Sequence, residues 1–287
     1  MQQEMGKTLR VLMVVEATLA GVGRHVLDLR EGLAAQGHEV HLIYSPLRKD
    51  AFFSRRLETG PDAPATSLPM RREIGPWDLA AARAVRDYLQ EHGPFDILHG
   101  HSSKGGALAR LAGRKRPEAV VYTPHAILTM NPRLGRLARA GLGSVERLLG
   151  RWTNAVIAVS PEEQEHLQSL GFPPARIRRI PNCVPVPELP TREQARRQLH
   201  LPTDARIVGF VGRLAPQKAP DVLIRAFGQL ALSREDVHLA IIGTGEMEPA
   251  LRDLAEQTGR GDRIHWLGAQ AGQQAMAAFD LFALPSR

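Results

Sequence analysis

The stretch GFVGRLAPQKAPDVLIRAF, Gly209 to Phe227, sets two cations five residues apart behind an apolar run. Ile207–Val211 has the length and composition of a buried strand. Gly212 follows, then Arg213 and Lys218, and Pro220-Asp221 opens an amphipathic stretch that predicts a helix. A helix start presents free N–H groups and the positive end of the dipole, so such a corner favours an anion. Two added cations suit a phosphate. A second corner, LAIIGTGEMEPAL, closes an apolar run with Gly243-Thr244-Gly245. These glycines let a ligand approach the backbone closely, although two glycines in a turn are also common without one.

Three segments in the first half carry similar signals. VVEATLAGVGRHV holds Gly21 and Gly23 at a strand-to-helix corner. A dinucleotide fingerprint would need glycine where Val26 stands and an acid near Tyr44-Ser45, which argues against NAD. A tight turn with no ligand accounts for Gly21 and Gly23 equally well. DILHGHSSKGGALARL places His101, Ser102, Ser103 and Lys104 before two glycines. Ser102 or Ser103 can cap a helix there, and Lys104 with the free amides could take an anion. Capping plus solvated charge explains that stretch by itself. YTPHAIL sets His125 just past a strand end, where open α/β sheets bind ligands, and a histidine there could orient a substrate hydroxyl. A single histidine is more often structural.

These residues need a scaffold of alternating strands and helices. Strands are expected at Leu9–Val15, Val40–Tyr44, Ile97–His99, Val120–Thr123, Val156–Val159 and Arg178–Ile180. Helices are expected at Val22–Gln36, Asp78–Glu91, Gly105–Arg114, Leu134–Trp152 and Pro161–Leu170. PNCVPVPELP, residues 181–190, reads as a proline-rich linker. Alternation then resumes, with strands at Ile207–Val211, His238–Ile242, Ile264–Trp266 and Leu281–Leu284. The intervening helices are Asp221–Leu232, Glu248–Gly259 and Gln273–Phe279. This pattern predicts parallel sheets covered on both faces, in two α/β domains at 1–182 and 183–287.

With 287 residues, 43 % apolar and 23 % charged, the chain has a globular composition. A single cysteine, Cys183, excludes a disulfide framework and fits a reducing cytoplasm. No apolar run approaches the roughly 20 residues of a spanning helix. The whole formal charge of +7 lies in the first 182 residues. There, Arg133, Arg136, Arg139, Arg147 and Arg151 recur among leucines as a basic stripe that could lie on anionic lipid. A core-packed helix with a solvated basic face is the simpler reading. Aromatics are only 5 %, with no stacking platform, so nucleic acid is not an expected partner.

Taken in order, GVGRHVLDLREGLAAQGHEVHLI, HSSKGGALARLA, TPHA, VIAVSPEE, RIPN, VGRLAPQKAPDVLIRAF, IIGTG and DLFALPSR resemble the retaining glycosyltransferases of family 4 over nearly the whole chain. That resemblance implies the GT-B architecture, two Rossmann-like domains facing across a cleft. It implies that Arg213 and Lys218 grip the diphosphate of a nucleotide-sugar, with Gly243, Gly245 and Gly21 also on the donor. His125 would lie near the transferred sugar and act catalytically. His101, Ser103 and Lys104 would face the acceptor, a glycan or lipid-linked molecule. The donor expected is a UDP-sugar, with GDP- and ADP-linked sugars as alternatives; no metal or other cofactor is expected, and the setting is cytoplasmic or peripheral on the inner face of the plasma membrane.

The sequence also departs from the family. Ala20 stands at the first place of a glycine pair, Ala219 follows Lys218 where Lys-Gly is usual, and Cys183 follows Asn182 where Asn-Gly is usual. If those backbones need positive φ, Ala219 and Cys183 carry strain. After LPSR the family continues with two glutamates separated by seven residues, which contact donor sugar and ribose. Here the sequence stops at Arg287, so the second domain is expected to be incomplete. A non-catalytic nucleotide-binding or docking protein of the same fold is therefore the alternative, with a sugar-nucleotide epimerase behind it.

Overall fold

The computed structural model describes residues 7–184, 188–270 and 272–287. The chain divides into two compact units, Met1–Val184 and Pro185–Arg287. Part of the proline-rich linker, 185–187, lies outside the described residues.

Unit 1 runs β1 (Arg10–Val15), α1 (Ala20–Ala35), β2 (Glu39–Tyr44), α2 (Ala51–Glu58), β3 (Ala65–Ser67), α3 (Trp77–His92) and β4 (Ile97–His101). It continues α4 (Ser102–Ala112), β5 (Ala119–Thr123), α5 (Arg136–Gly150), β6 (Ala155–Ala158), α6 (Pro161–Ser169) and β7 (Ile177–Arg179). All seven strands are parallel, in the order β3-β2-β1-β4-β5-β6-β7. The order reverses between β1 and β4, and in open α/β sheets that switch point is where ligands bind. The run VLMVV in β1 is apolar throughout because both its faces are covered. Val11, Met13 and Val15 pack with Val26, Leu27 and Phe53. Leu12 and Val14 pack with Val85, Leu89 and Leu108.

Unit 2 runs α7 (Arg192–Gln198), β8 (Arg206–Val211), α8 (Pro220–Ser233), β9 (Val237–Ile242), α9 (Glu248–Gln257), β10 (Ile264–Trp266), α10 (Gly272–Ala275) and β11 (Leu281–Phe282). Its parallel sheet has the order β10-β9-β8-β11, with the switch point between β8 and β11. The fold class is thus the expected one, two Rossmann-like α/β units.

Sequence periodicity misses three elements. β3 is three exposed residues with no alternation to read. α2 is capped by Asp50, whose side chain accepts from Phe53 N. α7 begins with a capping box, Thr191 and Gln194 each bonding the other's backbone N–H. The helix expected at Gln273–Phe279 is only one α-helical turn, continued as a 3-10 turn at Met276–Ala278.

Candidate functional site

At the C-terminal edge of the unit 1 sheet, four imidazoles meet. His99 and His101 lie two residues apart at the end of β4 and so share one face. Their ring centroids are 4.0 Å apart. His25 comes from α1, and His125 from the turn after β5. His101 Nδ1 lies 3.2 Å from His125 Nε2, and His99 Nε2 lies 2.8 Å from Thr123 Oγ1. The His25 ring stands edge-on to His125 at 4.6 Å between centroids. Burial, then neighbouring imidazoles, pushes His99 and His125 down to about 3. Burial also lowers His25 and takes His101 well below its ordinary value. These four rings are neutral at physiological pH.

Backbone conformation aims His125. It and Ala126 are both left-handed, with φ of 54° and 75°. Glu163, buried near the start of α6, fixes this strained turn. Ala126 N donates to Glu163 Oε1 at 2.8 Å, and Val159 N donates to Glu163 Oε2 at 2.9 Å. Ser160 caps α6 by accepting from Glu163 N at 3.1 Å. The motif VSPEE is thus the clamp on the histidine turn, a role its helix-start pattern alone does not reveal.

The HSSKGG segment differs from expectation. Neither serine caps α4. The cap residue is His101, without a side-chain bond, and Ser102 takes φ 61° with its hydroxyl buried and unpartnered among the described residues. Ser103 sits half-buried in the first turn. The Lys104 ammonium lies 2.7 Å from both oxygens of Asp78 and donates to Glu73 O, so α3 already holds it. The glycines serve packing. A Cβ on Gly106 would meet the Tyr122 ring at 2.2 Å, and one on Gly105 would meet Val14 O at 2.6 Å. They let α4 lie directly on the sheet.

In the first turn of α1 the fold demands glycine at Gly23, where a Cβ would fall 2.1 Å from Thr18 O, and leaves open space at Gly21. Ala20 adopts φ 52°. The stripe Arg133, Arg136, Arg139, Arg147 and Arg151 is exposed on and beside α5, together with Leu137, Val145 and Leu148.

In unit 2 the ends of β8 and β9 form one double corner. Gly212 N bonds Ile242 O at 3.0 Å, Leu214 N bonds Thr244 O at 3.0 Å, and Met247 N bonds Leu214 O at 3.1 Å. Gly243 and Gly245 permit this. Their Cβ atoms would lie 1.9 Å from Gly212 O and 2.3 Å from Leu214 O, and Gly243 has φ 134°. The glycines therefore bring one backbone corner against another. Arg213 is exposed and Lys218 half-buried at this edge, and among the described residues no carboxylate pairs with either. Ala219, at φ 48° and ψ 45°, turns the chain into α8 in the left-handed conformation its position requires. Cys183, expected to share such strain, is exposed and has no positive φ.

Residues 19–187 match the family model described as Glycosyltransferase Family 4, and residues 191–287 the one described as Glycosyl transferases group 1. The chain belongs to glycosyltransferase family 4. This family 4 chain is 28 % identical over 275 residues to the D-inositol 3-phosphate glycosyltransferase of Acidothermus cellulolyticus, covering 85 % of its own length and 60 % of that relative. It is 30 % identical over 207 residues to the protein of the same name from Mycolicibacterium smegmatis, covering 68 % of itself and 48 % of the relative. The chain thus spans about half to three-fifths of these relatives. Among solved structures it is similar to Anabaena Alr3699/HepE in complex with UDP, with a TM-score of 0.76, 21 % identity and coverage of 97 % and 74 % of the two chains. It is also similar to WaaG, a glycosyltransferase involved in lipopolysaccharide biosynthesis, with a TM-score of 0.71, 19 % identity and coverage of 97 % and 75 %.

Proposed function

We propose that the protein moves a sugar from a nucleotide-sugar, specifically a UDP-sugar, to a phosphate-bearing acceptor with retention at the anomeric carbon. The observation that carries this reading is the double corner of unit 2. Two cations that pair with no carboxylate among the described residues precede a helix start at the C-terminal edge of a parallel sheet. Arg213 and Lys218 hold the donor diphosphate and stabilise it as it leaves. Gly243 and Gly245 support the corner they grip, and Gly21 is assigned to donor binding as well. With that positive charge supplied by side chains and α8 amides, transfer needs no metal.

In unit 1, His125 contacts the transferred sugar as a neutral hydrogen-bonding group. His101, Ser103 and Lys104 lie on the acceptor side. A phosphate-bearing acceptor, free or as the head of a lipid-linked glycan, agrees with the relatives' names and with the positive surplus of residues 1–182. The reaction then belongs to the assembly of cell-surface polysaccharide or glycolipid. The exposed arginines of α5 hold the protein on the anionic cytoplasmic face of a membrane. Among the described residues no helix is long and apolar enough to cross one.

Titration calorimetry with UDP tests the central assignment. Arg213→Ala and Lys218→Ala should each weaken UDP binding about ten- to a hundredfold, or about 1.5–3 kcal/mol. Unchanged affinity in both variants would remove the diphosphate from this corner.

A further inference from the structure

We propose that His25, His101 and His125 form a three-imidazole site for a divalent transition-metal ion such as Zn²⁺. One ring nitrogen from each lies within 4.8 Å of the others. The closest pair, His101 Nδ1 and His125 Nε2, is 3.2 Å apart. A tetrahedral ion with metal–nitrogen bonds of about 2.0–2.1 Å holds two ligand nitrogens about 3.3 Å from one another. These two are therefore already at bite distance, and only His25 must draw in. It lies in the second turn of α1, and its ring already stands edge-on to His125.

The chemistry of the pocket suits a cation of this class. The ligands are neutral imidazoles, nitrogen donors of the kind that zinc, copper and nickel prefer and that magnesium and calcium do not. To free both facing lone pairs, the proton shared by His101 and His125 shifts to the far nitrogen of its own ring. The far nitrogen of His101, Nε2, is buried without a partner among the described residues. His125 is meanwhile held in its turn by the Glu163 clamp, so one ligand is pre-positioned. The fourth coordination position would be filled by water or an anion, as in zinc sites with three protein ligands.

Binding does not depend on the proposed transfer reaction, but its consequence does. If His125 serves the transferred sugar, an ion on its Nε2 displaces that contact. The metal then acts as an inhibitor of transfer and is no part of the reaction itself.

The test is titration of the metal-free protein with Zn²⁺, with Co²⁺ as a spectroscopic substitute. One ion per chain is expected, with the intense visible absorption of tetrahedral Co²⁺. His25→Ala and His125→Ala should each weaken Zn²⁺ binding about a hundredfold or more, beyond the 10–100-fold typical of losing an outer-shell partner. His238→Ala, in the separate His238–His265 pair, should leave it unchanged. Circular dichroism checks that the variants fold, and His25→Ala serves as the milder probe because its ring is only partly buried. No stoichiometric uptake by the wild-type protein overturns the site, as does uptake that both variants retain. UDP affinity measured in parallel separates this outcome from failure of the donor assignment. A protein that binds UDP but no Zn²⁺ loses only the metal site.

Discussion

Glu163 bonds Ala126 across two loops, its Oε1 accepting from the Ala126 amide at 2.8 Å while Oε2 holds the amide of Val159. One buried carboxylate thereby joins the turns after β5 and β6 and keeps His125 left-handed. Hydrogen bonds to a charged acceptor are stronger than neutral ones, and an orphaned buried amide is costly. Glu163→Ala should destabilise unit 1 by about 2–4 kcal/mol in urea unfolding, and Glu163→Gln by less because one carbonyl oxygen remains. Equal midpoints for Glu163→Ala and wild type would show that the turn needs no clamp.

The left-handed Ala219 and the crowded Gly243 make opposite predictions. A non-glycine residue in the left-handed region costs about 1–2 kcal/mol, part of which glycine returns as chain entropy. Ala219→Gly should therefore stabilise unit 2, by about 0.5–1 kcal/mol. Gly243→Ala should destabilise it by about 2 kcal/mol or more, because the new methyl overlaps Gly212 O and the φ of 134° is strained for alanine. Denaturant midpoints of the two variants should move in opposite directions.

Acid should weaken the fold through the histidine cluster. In the unfolded chain these imidazoles titrate near 6.5. In the folded protein burial keeps His99 and His125 at about 3, with His25 and His101 also lowered. Between those values the unfolded chain binds more protons, so stability rises with pH. It is fully present above about pH 6.5 and is lost progressively as the pH falls toward 3. Urea midpoints at pH 7 and pH 5 check the sign, and His125→Asn should flatten the slope. A midpoint that rises on acidification would contradict it.

The arginine stripe should act through charge. None of the five side chains pairs with a carboxylate among the described residues. Near an anionic surface each contributes about 1 kcal/mol, so Arg136→Gln with Arg147→Gln should weaken binding to anionic vesicles roughly thirtyfold. Raised salt should weaken the wild-type interaction likewise. Co-sedimentation indifferent to both changes would leave the stripe as a solvated helix face.

Much of this protein was legible before folding. Apolar runs and helix signals placed most strands and helices to within two residues, because both depend on local pattern. The Gly212–Lys218 corner was visible as a strand end, a glycine and two cations. The left-handed Ala219 was foreseeable from the departure from Lys-Gly. His99 carried a usable signal, since it lies two residues before His101 on one strand and must share its face. His25 carried none beyond its place after the glycine loop.

Most element types, the family and the positive charge at the β8 corner follow from residue order, because propensity, periodicity and motif order act over a few residues. Folding settles which histidines meet, that Glu163 clamps their turn, that Lys104 pairs with Asp78, and that the glycines of both units admit backbone or ring neighbours. Most of those contacts join residues 16 to 100 positions apart, and they exist because the strand order sets β1 beside β4, β4 beside β5 and β8 beside β9. Local energetics cannot encode a distance that sheet pairing alone creates.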